Sequence, residues 1–202
     1  PAQNAQKYYK KYSKSKTARV ELAKQIEIAK EELEYLNGVA DSLTRAESAS
    51  DLLEIRDELA RAGFASKMKS YSVPKKHNLG VMQFETPGGF KVLCGKNNLQ
   101  NDHITHKIAD GNDFWFHVKG NAGSHAVLIT DGKTPQDEDF TAAAKIAAFY
   151  SKSSGKNIAV DYTQVKNLKK PSGAKPGFVI YRTNYTAYVS PDEAKIAAMR
   201  KK

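Results

Sequence analysis

Asp113, Trp115, His117, Ser124 and His125 lie within NDFWFHVKGNAGSHAVLIT, residues 112–130, and no other short stretch gathers so many side chains able to do chemistry. Two chemistries are open to them. An acid, an imidazole and a serine hydroxyl can be posed as a nucleophile set for hydrolysis. A nucleophilic serine of that kind sits on a strained strand-to-helix turn, however, and the turn before Ser124 lacks that elbow. Indole and imidazole beside a glycine turn suit the other chemistry, which is stacking on bases or sugars and hydrogen-bonding to them. The competing reading is a core hairpin whose tryptophan packs and whose histidines are satisfied by neighbours. His103 and His106 are three residues apart with no third ligand nearby, so zinc is not expected there. The single cysteine, Cys94, excludes a disulfide framework and a cysteine-based zinc site, and fits a reducing compartment. No catalytic residue, metal or cofactor is expected.

A second stretch offers electrostatics. YTQVKNLKKPSGAKPG, Tyr162 to Gly177, places Lys166, Lys169, Lys170 and Lys175 among prolines and glycines. If those residues hold the backbone extended, the lysines project and the backbone N–H groups stay available to phosphate oxygens. Such a loop would bind RNA or another polyanion with salt-sensitive, sequence-independent affinity. A solvated flexible loop is the alternative.

The distribution of charge supports looking there. The net charge is +10 with 32 lysines and arginines. Residues 1–64 contain eleven acids and eleven lysines or arginines, so the whole excess lies in residues 65–202. An excess of this size favours an anionic partner without dictating a fold. No apolar run approaches membrane-spanning length and no signal peptide is legible, so membrane insertion is not expected.

The elements that must position these residues fall into two parts. From Leu22 the apolar residues recur as Leu22, Ile26, Ala29, Leu33, Leu36, Ala40 and Leu43, in the alternating steps of a coiled-coil seam. A helix with one such stripe needs a partner: a second helix, another copy of this chain, or its own globular part. The helix begins with a basic, tyrosine-bearing end, Lys7 to Arg19, read either as a solvated face or as a phosphate-contacting tip. A short helix over 51–62 follows, with Leu52, Leu53, Ile55 and Leu59 as its apolar side and Gly63 as its stop. Residues 65–77 form a basic linker. The remainder, 78–202, reads as hairpins and a few helices. Strands are expected over 80–85 and 90–94 around Thr86-Pro87-Gly88-Gly89, and over both arms of the 112–130 stretch. Asp113, Trp115 and His117 fall on one face there, and Phe114, Phe116 and Val118 on the core face. Gly95 to Asp102 reads as a polar, amide-rich loop. Thr134 is read as the cap of an alanine-rich helix with Pro135 at its first position and Gly155 as its stop. A strand over 158–161, a last hairpin of 178–181 with 185–189, and a terminal helix ending in Arg200, Lys201 and Lys202 complete the order. The fold class is α+β: a long coiled-coil arm, then a compact mixed domain of antiparallel hairpins with one or two helices.

FWFHVKG, AGSH and VDYTQVKNLKKPSGAKPG, behind a heptad helix that begins PAQNAQKYYKKYSKSK, resemble the NFACT family across essentially the whole chain. Residues 1–64 resemble the returning arm of its coiled coil and residues 77–190 its NFACT-R domain. The resemblance implies a C-terminal portion of a longer protein, since the N-terminal NFACT domain, the helix-hairpin-helix module and the outgoing coil helix have no counterpart in these residues. Asp113, Trp115, His117, Gly123, Ser124 and His125 match the family's hairpin signature. Asp161, Tyr162, Thr163, Lys166, Lys169, Lys170 and Lys175 match its basic-loop signature. Together they are the expected nucleic-acid-binding residues. Ala122 departs from the proline usual in that turn.

The family's members imply a cytoplasmic role in ribosome-associated quality control. They bind obstructed large subunits through rRNA, recruit tRNA, and support C-terminal alanine tailing in which the ribosome performs the peptide transfer. The alternative carried by the family's older name is a surface adhesin that binds fibronectin, displayed by an unknown route.

Overall fold

The computed structural model describes residues 2–64 and 80–201, so the expected linker, 65–77, lies outside the described residues. The chain divides into two units, Pro1–Asn37 and Gly38–Lys202.

The first unit is helix alone, the N-terminal part of α1 (Ala2–Thr44). Leu22, Ile26 and Leu33 of the seam stand exposed on it, as do Tyr8, Tyr9 and Tyr12 near its basic end.

The second unit begins with the last two turns of α1, which bury Val39, and continues into α2 (Ala49–Arg61). Ser48 and Asp51 cap α2 reciprocally, satisfying N–H groups that a helix start leaves unpaired. Gly63 follows with φ +84°, a left-handed residue past the helix end. The apolar side expected of α2 is not what docks. Leu52 and Leu53 are exposed, and only Ile55 of that side is fully buried. The buried face instead carries Asp51, Glu54, Asp57 and Glu58.

Seven strands form one antiparallel sheet in the order β8-β5-β3-β4-β2-β1-β9. β1 (Met82–Glu85) and β2 (Lys91–Cys94) are the expected first hairpin. β3 (Phe114–Val118) and β4 (Ala126–Ile129) are the expected central one. β5 (Ile158–Gln164) runs three residues beyond its expected end, because it pairs along its length with β3 and β8 (Tyr185–Val189). β6 (Leu168–Lys169) and β7 (Ile180–Tyr181) make a separate two-stranded ribbon. The last hairpin expected from sequence therefore does not form: β7 joins β6 and β8 joins β5. The terminal helix is α5 (Glu193–Met199), and Arg200–Lys201 leave it as β9 to pair with β1.

The stretch from Gly95 to Asp102 is more regular than a loop. It holds α3 (Asn98–His103), capped by the Asn97 side chain, which runs into a wide π-type turn over Ile104–Ile108. α4 (Asp137–Phe149) starts after Gln136 and not at Pro135, because Asp139 accepts from the Gln136 N–H at 2.9 Å. The same carboxylate accepts from Thr86 Oγ1 at 2.6 Å and from the Gly88 N–H at 2.9 Å, tying the first hairpin to the helix start. A Cβ at Gly88 would lie 2.5 Å from Asp139 Oδ1, so glycine is required there by contact.

Two apolar clusters sandwich the sheet. On one face Phe84, Val92, Phe116, Val118, Leu128 and Val160 pack on α4, whose Ala143, Ala144, Ala147 and Ala148 let it lie close. On the other, Leu93, Trp115 and Val127 pack on Ile104 and on Leu168, Val179 and Tyr181 around the ribbon.

Candidate nucleic-acid interface

Because β3 lies between β4 and β5 and is covered on both faces, the face expected to be free is interior. Trp115 is 1% exposed, with the rings of His117, His125 and Tyr181 at 5.1–5.7 Å. It offers no face to a base, which corrects the stacking role expected of it. Among the described residues its indole N–H has no hydrogen-bond partner.

The residues around it are equally occupied. His125 is buried, with Nδ1 2.9 Å from Thr105 Oγ1 and its N–H donated to Asn101 Oδ1 at 3.0 Å. Burial, then the neighbouring His117, pushes its pKa well below the usual histidine value. Burial lowers His117 from 6.5 to about 4. Both rings are neutral near pH 7 and bring no cation to a phosphate.

Asp113 accepts from the Thr130 N–H at 2.7 Å, Thr130 Oγ1 at 3.0 Å and the Asp110 N–H at 2.8 Å. Among the described residues it has no hydrogen bond to His117 or Ser124, so the posed nucleophile set is not assembled. Ser124 is fully buried, its N–H donated to Tyr150 O at 2.9 Å and its hydroxyl beside the buried Cys94 thiol. Gly123 is pressed against the chain beyond α4, where a Cβ would come within 2.8 Å of Ser151 Cβ. The AGSH turn is thus a packing junction, and direct ligand contact by Gly123, Ser124 or His125 is corrected with it.

Asp161 is buried and accepts from Tyr181 Oη at 2.9 Å and Thr186 Oγ1 at 2.6 Å, with Lys119 Nζ at 3.6 Å. Burial, and then that carboxylate, pushes the Tyr181 hydroxyl up to about 12, so it remains a donor. Thr163 is buried and accepts from Asn167 Nδ2 at 2.9 Å. These residues join the ribbon and β8 to the sheet. Tyr162 alone of the DYT group reaches the surface, half-buried beside Tyr185.

The lysine loop is not an open ribbon. Its two ends pair as β6 and β7, with turns closed by Ala174 N–H to Pro171 O and Phe178 N–H to Lys175 O, and with Gly173 and Gly177 at φ +76° and +77°. Lys170 is ion-paired with Asp102, and Lys175 lies over the Phe64 ring at 5.2 Å. Lys166 and Lys169 remain exposed. Among the described residues neither has a carboxylate partner, Lys166 bonding only the neutral Asn112 Oδ1 at 3.3 Å. The loop therefore presents two uncommitted ammonium groups where the sequence suggested four.

Sequence reasoning passed over the exposed Phe178, Ile180, Arg182, Tyr185 and Tyr188. A signal for two of them was available. Tyr185 and Tyr188 are three apart in one strand, so they point to opposite faces and one helix layer cannot cover both. No group of three His, Cys, Asp or Glu among the described residues could hold a metal, and no described helix is long and apolar enough to cross a membrane.

Comparison with known proteins matches residues 1–78 to the family model for NFACT N-terminal and middle domains, and residues 80–183 to that for the NFACT protein RNA binding domain. The Rqc2 homolog RqcH of Bacillus subtilis (strain 168) is 37% identical over 204 residues, covering 100% of this chain and 35% of that protein. Its counterpart in Streptococcus suis (strain 05ZYH33) is 43% identical over 201 residues, covering 99% of this chain and 36% of that protein. The chain spans roughly a third of the length of these curated relatives. The solved C-terminal part of the fibronectin/fibrinogen-binding protein from Streptococcus suis matches 99% of this chain and 80% of its own, at 40% identity and a TM-score of 0.87.

Proposed function

The chain belongs to the NFACT family, and from that premise we propose that its second unit binds RNA as part of a cytoplasmic ribosome quality-control factor. The observation that carries this reading is the pair Lys166 and Lys169, exposed without carboxylate partners on the region matched to the RNA-binding domain. Ammonium groups in that state release counterions on meeting phosphates, which gives affinity that falls with salt. The partners in this reading are rRNA of the large subunit and tRNA, and the wider role is support of C-terminal alanine tailing on obstructed subunits. Peptide transfer is the ribosome's, so the chain is not an enzyme. Titrating large subunits or tRNA with the Lys166→Glu/Lys169→Glu double variant tests the anchor. Affinity should fall, and the slope of log affinity against log salt should become shallower by about one per lysine. Unchanged affinity and slope would remove the loop from the interface.

A second reading, adhesion to fibronectin, is favoured by the solved relative being named a fibronectin/fibrinogen-binding protein. Ribonuclease separates the two: capture of cellular partners that survives complete RNA digestion would favour adhesion.

A further inference from the structure

On the α4 side of the sheet, where β3, β5 and β8 meet the start of α4, four aromatic rings converge. Phe114 and Phe140 meet edge to face at 4.7 Å, Phe140 and Tyr162 lie 5.6 Å apart, and Tyr162 and Tyr185 5.5 Å apart at 30°. With Asp137, Gln164 and Asn167 they line an open groove of about 600 Å³. Tyr185 is 65% exposed at the sheet edge, so packing alone does not account for its ring.

The lining selects its occupant. Among the described residues the only charged side chain in the lining is the Asp137 carboxylate, which repels phosphate. A flat heteroaromatic ring fits better: it meets π faces, its edge meets the amides of Gln164 and Asn167, and an amino group on it can donate to Asp137. Lys166 and Arg182, both exposed, immediately precede the lining residues Asn167 and Thr183. A sugar-phosphate strand leaving the groove past either residue would meet a cation.

We propose that this groove holds one unpaired RNA base, stacked on the exposed face of Tyr185, with its amino edge toward Asp137. The assignment rests on the RNA-binding reading and adds to it a base-stacking site distinct from the lysine loop's phosphate contacts.

The test compares binding of the whole chain to a single-stranded oligocytidylate and to an abasic oligomer of equal length. The base-bearing strand should bind about tenfold tighter, the usual scale of one stacked base. Tyr185→Ala should erase that margin without weakening the abasic strand, and Tyr185→Phe should keep it, since the ring persists. If both oligomers bind equally to the unmodified chain, the groove assignment is overturned while the RNA reading stands. A margin that survives Tyr185→Ala puts the base elsewhere and overturns it too. If neither oligomer binds, the RNA reading fails. In that event cytidine monophosphate, set against ribose 5-phosphate, decides the groove by NMR: selective shifts of the Tyr185 and Phe140 rings support a nucleobase site, and no shifts overturn it.

Discussion

His117 and His125 show what the aromatic hairpin does in the folded chain. Both are neutral because burial disfavours the imidazolium, with His117 near 4 against 6.5 for a free side chain and His125 well below the free value. The unfolded chain therefore binds more protons than the folded one between about pH 6.5 and 4, so stability is full above the unfolded value and falls as the pH drops through that window. His117 alone accounts for on the order of 3 kcal/mol by pH 4. Urea unfolding at pH 7 and pH 4.5 should show the loss, and His117→Asn should make it smaller. The carboxyls of Asp51 and Asp139 do not blur the result. Burial raises their pKa values, but hydrogen bonds from Glu47 N–H and Lys96 to Asp51, and from Thr86, Gln136 and Gly88 to Asp139, hold both below 3.8. Their contribution goes only at lower pH. An identical pH profile in the variant would mean that His117 is not held neutral by its site. A histidine poised to meet phosphate would behave oppositely, keeping its usual pKa or a raised one.

Among the elements, α2 departs furthest from its own sequence pattern. Leu52 is 51% exposed, whereas Glu54 is buried with Oε2 accepting from Asn97 Nδ2 at 2.8 Å and Gln100 Nε2 at 2.7 Å. Glu58 takes the Asn98 N–H and Nδ2 at 3.2 and 2.8 Å, and Asp51 meets Lys96 at 3.2 Å. Charge-assisted hydrogen bonds thus seat the helix on the amide-rich start of α3. Glu54→Ala should cost about 2–3 kcal/mol in chemical denaturation, since it leaves two buried amides short of an acceptor. Leu52→Ser should stay within about 0.5 kcal/mol, as surface changes do. The reverse ranking would restore the apolar docking that periodicity suggests. The contrast shows what the sequence could disclose. The β1–β2 and β3–β4 hairpins were legible because alternation and turn residues are local, whereas of the four loop lysines only Lys166 and Lys169 are exposed without a carboxylate partner among the described residues. The docking of α2 and the pairing of β9 were not legible, because each is decided by a partner 40 to more than 100 residues along the chain, and the β6–β7 ribbon was not because its two-residue strands flank a stretch rich in proline and glycine. Trp115 was misplaced for the same reason: β5 and the ribbon that bury it come after it in sequence.

For the whole molecule, the two units pose different problems in water. The second closes its own core and carries +7 of the net charge of +10, so its solubility and its affinity for polyanions share a source. The first has no core. Its helix leaves Leu22, Ile26 and Leu33 at 61%, 53% and 62% exposure along one seam, an apolar stripe of the spacing that pairs helices. Left alone, that stripe should draw two chains together. Sedimentation of the isolated chain should therefore show concentration-dependent association, and Ile26→Glu with Leu33→Glu should return it to monomer by placing like charges across the seam. RNA affinity per chain should not change with those substitutions, because the cations assigned to phosphate lie in the second unit. Should the unmodified chain stay monomeric at high concentration, the seam is not a pairing surface in isolation. Should the substitutions weaken RNA binding as well, the first unit contributes to the contact, and the basic end from Lys7 to Arg19 becomes the place to look for it.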